Sequence, residues 1–393
     1  MRFPHRRYHL LAVTGLVATL ALTATACESD DRGTGDDTGA ASSRTADRDG
    51  DGIPDVLADR LEEHGVDVGG WKNGGWKDWD RDKWLHEAKE FVNPVIEGLW
   101  DAERMRGAGD PGKTVAAQDA SAERGVSDPV PAPVEARAEK TPYHEHAGPV
   151  GKIFFDSPEG AMVCSGTVVS DVNHPGESNL VWTAGHCVHA GGEGGWYRNI
   201  VFVPSYNDLS RSEEELAEGA PDAEIAPFGQ WWADWAATSD EWIAGGSEEG
   251  GAGAPYDYAV LHVRPETGET SLEETVGAAL DMDFSAPSAS EAATMGAWGY
   301  PAAPPYNGLT MCRCIDRPGR LSLDPSLPTM YRIGCTMTGG SSGGGWFRMV
   351  GGEPRLVSNT SIGPADNTWL AGPQLGEAAR ALYDEMSTTY GDR

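Results

Sequence analysis

The sequence predicts an all-β fold closed by a C-terminal helix and preceded by a small, mostly helical N-terminal region. Three observations predict it. Apolar runs of strand length recur from Val150 to Ile362, separated by Gly, Pro, Asn and Asp. Upstream of them, Gly107 to Thr141 is Pro, Ala, Gly and charge without any period, so the texture changes abruptly near residue 142. At the far end, Pro373 to Met386 sets Leu375, Ala378, Ala379 and Leu382 on one helical stripe.

The chain starts with a basic segment, Met1 to His9, followed by an apolar run from Leu10 to about Thr25. Small residues, Ala24-Thr25-Ala26, stand before the expected cleavage point, so residues 1–26 read as an export signal peptide. Cleavage there leaves Cys27 as the new N-terminus, a candidate for lipid anchoring and the single membrane contact expected. Residues 27–46 are Asp, Gly, Ser and Thr without apolar periodicity and read as a disordered tether.

Residues 47–105 form the acidic region. In Asp47-Arg-Asp-Gly-Asp-Gly-Ile-Pro-Asp55, carboxylates at alternate positions, a glycine at the sixth and a carbonyl at the seventh suit a hard cation. Asp47, Asp49, Asp51, Asp55 and the Ile53 carbonyl are the candidate calcium ligands. The twelfth position is Ala58, where a calcium loop of this kind has a bidentate Glu. Val56 to His64 reads as a short helix and Asp82 to Met105 as a longer one, with Trp84, Leu85, Phe91, Val92 and Ile96 at helical spacings. Trp71, Trp76 and Trp79 lie between them, as a carbohydrate-binding face or as the small core of this unit. Residues 106–142 then read as a linker or propeptide.

The composition narrows the partners. Among 393 residues, 61 are acidic and 30 basic, a net charge of −31. Sequence-independent nucleic-acid binding is excluded, because phosphate contacts need clustered Lys and Arg. Export implies an oxidising compartment, so the six cysteines are disulfide candidates. Cys164 and Cys187 lie in one strand-like stretch and pair. Cys335 pairs with Cys312 or Cys314, which point to the same side of a strand.

In the β region the expected strands are Val150–Phe155, Met162–Val169, Asn179–Ala184, Ile200–Pro204, Tyr258–Val263, Ala293–Tyr300 and Leu356–Ile362. Residues 204–254, acidic and rich in Trp, read as a long insertion. Three motifs carry chemistry: Thr183-Ala-Gly-His-Cys187, Tyr256-Asp-Tyr-Ala-Val260 and Gly340-Ser-Ser-Gly-Gly344. A serine hydroxyl is a weak nucleophile until a base takes its proton, and imidazole, with a pKa near neutrality, is suited to accept it. A carboxylate held away from water fixes the imidazole tautomer. His186, Asp257 and Ser342 are the candidates for base, fixing carboxylate and nucleophile. Glycines around Ser342 allow backbone N–H groups to converge on one point, as an oxyanion hole requires.

In the order His, Asp, Ser, these motifs resemble those of trypsin-like serine peptidases with the chymotrypsin fold. The resemblance covers about residues 145–388. It implies a double β-barrel over 143–393, a polypeptide substrate, acyl-enzyme chemistry, no cofactor for catalysis and an extracellular site of action. The Gly-x-Ser-Gly-Gly register makes Ser342 the nucleophile and gives the oxyanion donors as the N–H groups of Gly340 and Ser342. Thr336, six residues earlier, falls at the base of the substrate pocket, and its neutral side chain argues against Lys or Arg preference. Ser341 stands where trypsin has an Asp, so activation through a buried ion pair is not expected. In this the chain is similar to the bacterial glutamyl-endopeptidase-like branch, although 357–363 holds no histidine. The competing expectation is a non-catalytic exported binding protein that works through its Asp- and Trp-rich N-terminal region.

Overall fold

The computed structural model describes residues 68–80, 91–92, 94–110, 114–115, 126–247 and 250–390. The signal peptide, Cys27, the tether, the 47–55 loop and the helix expected over 56–64 lie outside the described residues.

Six strands make the first barrel: β1 (Val150–Ser157), β2 (Gly160–Val169), β3 (Leu180–Thr183), β4 (Arg198–Pro204), β5 (Trp231–Thr238) and β6 (Ala259–Pro265). Their order around the ring is β5-β6-β3-β2-β1-β4, and a β4–β5 pairing closes it. The closing pairing covers the edge of β5 at Trp231 and Trp232, and Phe91–Val92 pairs with that edge at Trp235 and Ala236. Successive residues alternate between two apolar clusters: Ile153, Phe155, Val181, Ile200 and Phe202 fill one, while Phe154, Trp182, Val201 and Val203 join the other. Burial on both faces is why these strands read as unbroken apolar runs rather than as alternating ones.

The second barrel is built from β7 (Met295–Gly299), β8 (Cys312–Asp316), β9 (Gly319–Leu321), β10 (Met330–Gly334), β11 (Gly345–Val350), β12 (Glu353–Asn359), β13 (Gly363–Pro364) and β14 (Trp369–Gly372). One sheet runs β12-β11-β7-β8, the other β9-β10-β14. The Cys314–Cys335 disulfide joins them, with Cα atoms 5.5 Å apart. The expected C-terminal helix is present at Glu377–Tyr390. Tyr383 donates from its hydroxyl to the Ser170 carbonyl, and Asn173 Nδ2 donates to Ser387 Oγ at 2.7 Å, fastening the helix to the first barrel. Among the described residues no helix is long and apolar enough to cross a membrane.

Three expectations change. The helix expected to Met105 is not continuous: Phe91–Val92 is instead a strand paired with β5, and only Ala102–Gly107 is helical near the end. Pairing with a barrel strand outweighs the helical spacing of the apolar residues there. The stretch 204–254 is not wholly an insertion, since it contains β5, with Trp231, Trp232 and Trp235 buried. The described part of the expected linker is fitted to the second barrel over 126–138: Arg137–Ala138 adds to β8, and Asp128 pairs with Arg320.

The Trp-rich segment packs on the first barrel. Trp100 is fully buried and donates from Nε1 to the Asn199 carbonyl at 2.8 Å. The Arg198 guanidinium lies 5.1 Å from the Trp71 ring and 4.2 Å from that of Trp79, and donates to the Trp76 and Asp78 carbonyls. Arg104 sits 4.1 Å from the Trp100 ring and pairs with Asp156. Trp71 and Trp79 thus cover a barrel arginine, and Trp100 one of the N-terminal chain's own, so the segment is held to the barrel.

Candidate active site

His186 lies in a single 3-10 turn, Gly185–Cys187, directly after β3. The expected Cys164–Cys187 disulfide ties this turn to β2, closing a loop of 23 residues. Asp257 stands between another 3-10 turn, Ala254–Tyr256, and β6, which pairs antiparallel with β3. Adjacent strands thus bring the imidazole and the carboxylate to the same end of the first barrel.

Asp257 is completely buried, and a buried carboxylate is tolerated only when its oxygens are hydrogen-bonded. Here Oδ1 accepts the His186 backbone N–H at 2.8 Å, and Oδ2 lies 2.7 Å from His186 Nδ1. The Ser361 hydroxyl donates to the same Oδ2. With Nδ1–H held by the carboxylate, the Nε2 side of the ring is the acceptor. Asn359 Nδ2 donates to the Asp257 carbonyl at 2.9 Å, and Trp182 Nε1 donates to Asn359 Oδ1 at 3.1 Å. The Trp242 ring lies 6.1 Å from that of His186.

Ser342 sits in the turn between β10 and β11 and is 4% exposed; His186 is 5% exposed. The turn is held through its carbonyls. Ala302 N donates to Gly339 O at 2.6 Å, Ser165 Oγ to Gly340 O at 2.8 Å, Gly344 N to Ser341 O at 3.0 Å and Ser165 N to Ser342 O at 2.7 Å. Among the described residues, the N–H groups of Gly340 and Ser342 enter none of these bonds. With their carbonyls engaged elsewhere, those two N–H groups remain available to a developing negative charge.

Gly340 has φ of 86° and Gly343 φ of 77°, both in the left-handed region. A Cβ on Gly343 would stand 2.1 Å from Thr183 Oγ1 and 2.5 Å from the Ser165 carbonyl. The turn of the second barrel is therefore pressed against β2 and β3 of the first, and glycine is what permits the approach. The Ser341 hydroxyl donates to the Thr338 carbonyl at 2.7 Å, a local bond that leaves it no role like that of a buried Asp.

Thr336 is half-buried. Its Oγ1 accepts the Ala136 N–H at 2.9 Å and lies 3.2 Å from the Tyr306 hydroxyl, while its N–H donates to the Val134 carbonyl at 2.9 Å. The chain's own segment 134–136 thus meets the residue expected at the base of the substrate pocket. Of the two candidate partners of Cys335, Cys314 is the bridged one, and Cys312 is a buried free thiol whose pKa burial raises to about 11. Cys164, His186 and Cys187 lie close together, but the two sulfurs are bonded to each other and offer no thiolate pair for a metal. Sequence reasoning missed Ser165, Asn359 and Ser361. Their signal was present as polar residues inside strand-length runs that are buried.

No family model matches the chain, and no curated protein is similar to it. Solved structures are. Protease Anisep from Arthrobacter nicotinovorans is 27% identical, with 65% of this chain aligned to 100% of that one at a TM-score of 0.52. A thermostable serine protease, AL20, from an extremophilic microorganism is 33% identical over 62% of this chain and 98% of that one, with a TM-score of 0.49. A Glu endopeptidase covers 66% of this chain at 15% identity and a TM-score of 0.47, too distant to carry over a cleavage preference. A closed barrel and a second β unit meet at a His–Asp pair and a glycine-bound serine, and the same architecture spans the whole of a solved protease. This chain belongs to the trypsin-like serine peptidases of the chymotrypsin fold.

Proposed function

We propose that the chain is an exported endopeptidase in which His186, Asp257 and Ser342 act together. The observation that carries this is the buried Asp257 carboxylate gripping both the backbone N–H and Nδ1 of His186. So oriented, His186 Nε2 takes the Ser342 proton as Oγ attacks the scissile carbonyl. The tetrahedral oxyanion is held by the N–H groups of Gly340 and Ser342. The C–N bond then breaks as the imidazolium returns its proton to the leaving amine, and a water activated by the same imidazole hydrolyses the acyl-enzyme.

The substrate is polypeptide, met by a pocket whose expected base, Thr336, is uncharged. Export rests on the N-terminal signal pattern and is supported by the two disulfides. Cys27 remains the proposed site of a lipid anchor, and the 47–55 loop a proposed calcium site that the chemistry does not call on. The binding-protein alternative loses ground, because Trp71 and Trp79 are engaged with Arg198 of the barrel, Trp76 with Arg104 and Trp100 with the Asn199 carbonyl.

The test is covalent labelling. A fluorophosphonate should modify Ser342, located by peptide mass mapping, and Ser342→Ala should abolish it. Absence of labelling in both the intact chain and its proteolytically trimmed form would overturn the proposal.

A further inference from the structure

The N-terminal chain is fastened to both barrels. Trp100, Met105 and the Arg104–Asp156 pair hold it to the first. Downstream, the Asp128 N–H donates to the Arg320 carbonyl at 2.9 Å, and Arg137–Ala138 extends the second-barrel sheet. Between these two attachments the described chain touches each barrel beside the seam where His186 and Ser342 stand.

Two contacts along that path border the site on opposite sides. Gly109 adds to the start of β2: its N–H donates to the Ala161 carbonyl at 2.9 Å, and Val163 N–H donates to the Gly109 carbonyl at 2.7 Å. The next residue of β2 is Cys164, bonded to Cys187 beside His186. On the other side, Thr114–Val115 pairs with β13, which begins two residues after Ser361, the donor to Asp257. Both pairings run parallel to their partner strands.

Next to Gly109, the Asp110 carboxylate reaches the serine turn. A Cβ on Gly339 would stand 2.0 Å from Asp110 Oδ2 and 2.1 Å from Oδ1, so the carboxylate rests directly on Gly339. Gly339 immediately precedes Gly340, the first expected oxyanion donor. The carboxylate thus stands beside the turn that carries the proposed oxyanion donors.

We propose that Gly109–Asp110 and Thr114–Val115 act as an inhibitor in cis, resting on the reading of Ser342 as nucleophile. Main-chain pairing occupies the two edges that an extended substrate would use. A side-chain carboxylate, rather than a peptide carbonyl, is offered to the serine turn. It brings negative charge without a leaving amine, so the occupant blocks the cleft and is not itself turned over. Tethering at both ends gives it a high effective concentration. Removal of this segment is then the activating event, in place of the buried ion pair that Ser341 cannot make.

The full-length chain tests this through its rate of fluorophosphonate labelling at Ser342. Asp110→Ala removes the carboxylate, and Gly109→Pro removes the N–H bonded to Ala161; each should raise the rate about tenfold or more. Limited proteolysis removing the chain before residue 116 should do the same. A synthetic peptide spanning 104–117 should slow the trimmed enzyme again. If Gly109→Pro fails to fold, judged by its melting curve, Asp110→Ala decides. Equal labelling of intact, variant and trimmed forms would overturn the inhibitor while leaving the nucleophile in place. Cleavage of the intact chain between 109 and 115 by its own serine would overturn it too, by making the segment a substrate. No labelling of any form would remove the nucleophile and the inhibitor together.

Discussion

The two barrels meet at one site but are stabilised differently. The first is a closed hydrogen-bonded ring that holds His186 and Asp257 at the end of paired strands. The second is two sheets joined by a disulfide and extended by a strand from the N-terminal chain, and it carries Ser342 on a turn. His186 and Asp257 are thus positioned by a continuous scaffold of buried bonds. Ser342 is positioned by contact between the barrels, through Ser165 and Thr183 of the first against Gly340 and Gly343 of the second. Assembly of the site is therefore a property of the seam.

The largest expected effect tests the closed half. Asp257→Asn should keep the fold but impose the wrong imidazole tautomer, lowering kcat about 10⁴-fold. A peptidase assay beside a melting curve checks this, and a loss below tenfold would show that the carboxylate serves stability instead.

The next tests the seam. Gly343→Ala places a methyl group against the Ser165 carbonyl and Thr183 while forcing alanine to a positive φ. Together these should cost about 2–5 kcal/mol, read by denaturant unfolding. An unaffected variant would mean that the barrels can part at the turn.

The smallest compares the two cross-links. Their sequence separations are nearly equal, 23 and 21 residues, so chain entropy predicts a similar loss of about 3 kcal/mol for either pair of Cys→Ser changes. The difference should lie in amide hydrogen exchange. Without Cys314–Cys335, β8 and β10 should lose protection, because no closed ring backs them. Without Cys164–Cys187, β2 and β3 should keep it. Equal deprotection would erase the distinction between the barrels.

Much of the site was legible because its parts are local. His186, Asp257 and Ser342 each sit in a short motif whose neighbours support the chemistry, at a strand end, a buried strand start and a glycine turn. β5 escaped notice because its apolar run is interrupted by Asp234 and lies within an acidic, Trp-rich stretch. Trp231 and Trp232 are both buried, on opposite faces. The 91–105 stretch misled for the opposite reason, since its helical spacing was real but its partner was a barrel strand far along the chain.

By itself, then, the sequence determined the chemistry on offer, the serine that is the nucleophile candidate and the β character of residues 143–393. These follow from short-range patterns of residue type and from the conformations glycine alone permits. Only the tertiary structure decided that Cys314 rather than Cys312 bridges Cys335, that Ser361 completes the grip on Asp257, and that the N-terminal chain lies on both barrels. Each of those depends on which distant segments meet, and spacing along the chain does not encode that distance. The same holds for Asp110, one acid among 61 in the sequence, which the fold sets against the turn that carries Ser342.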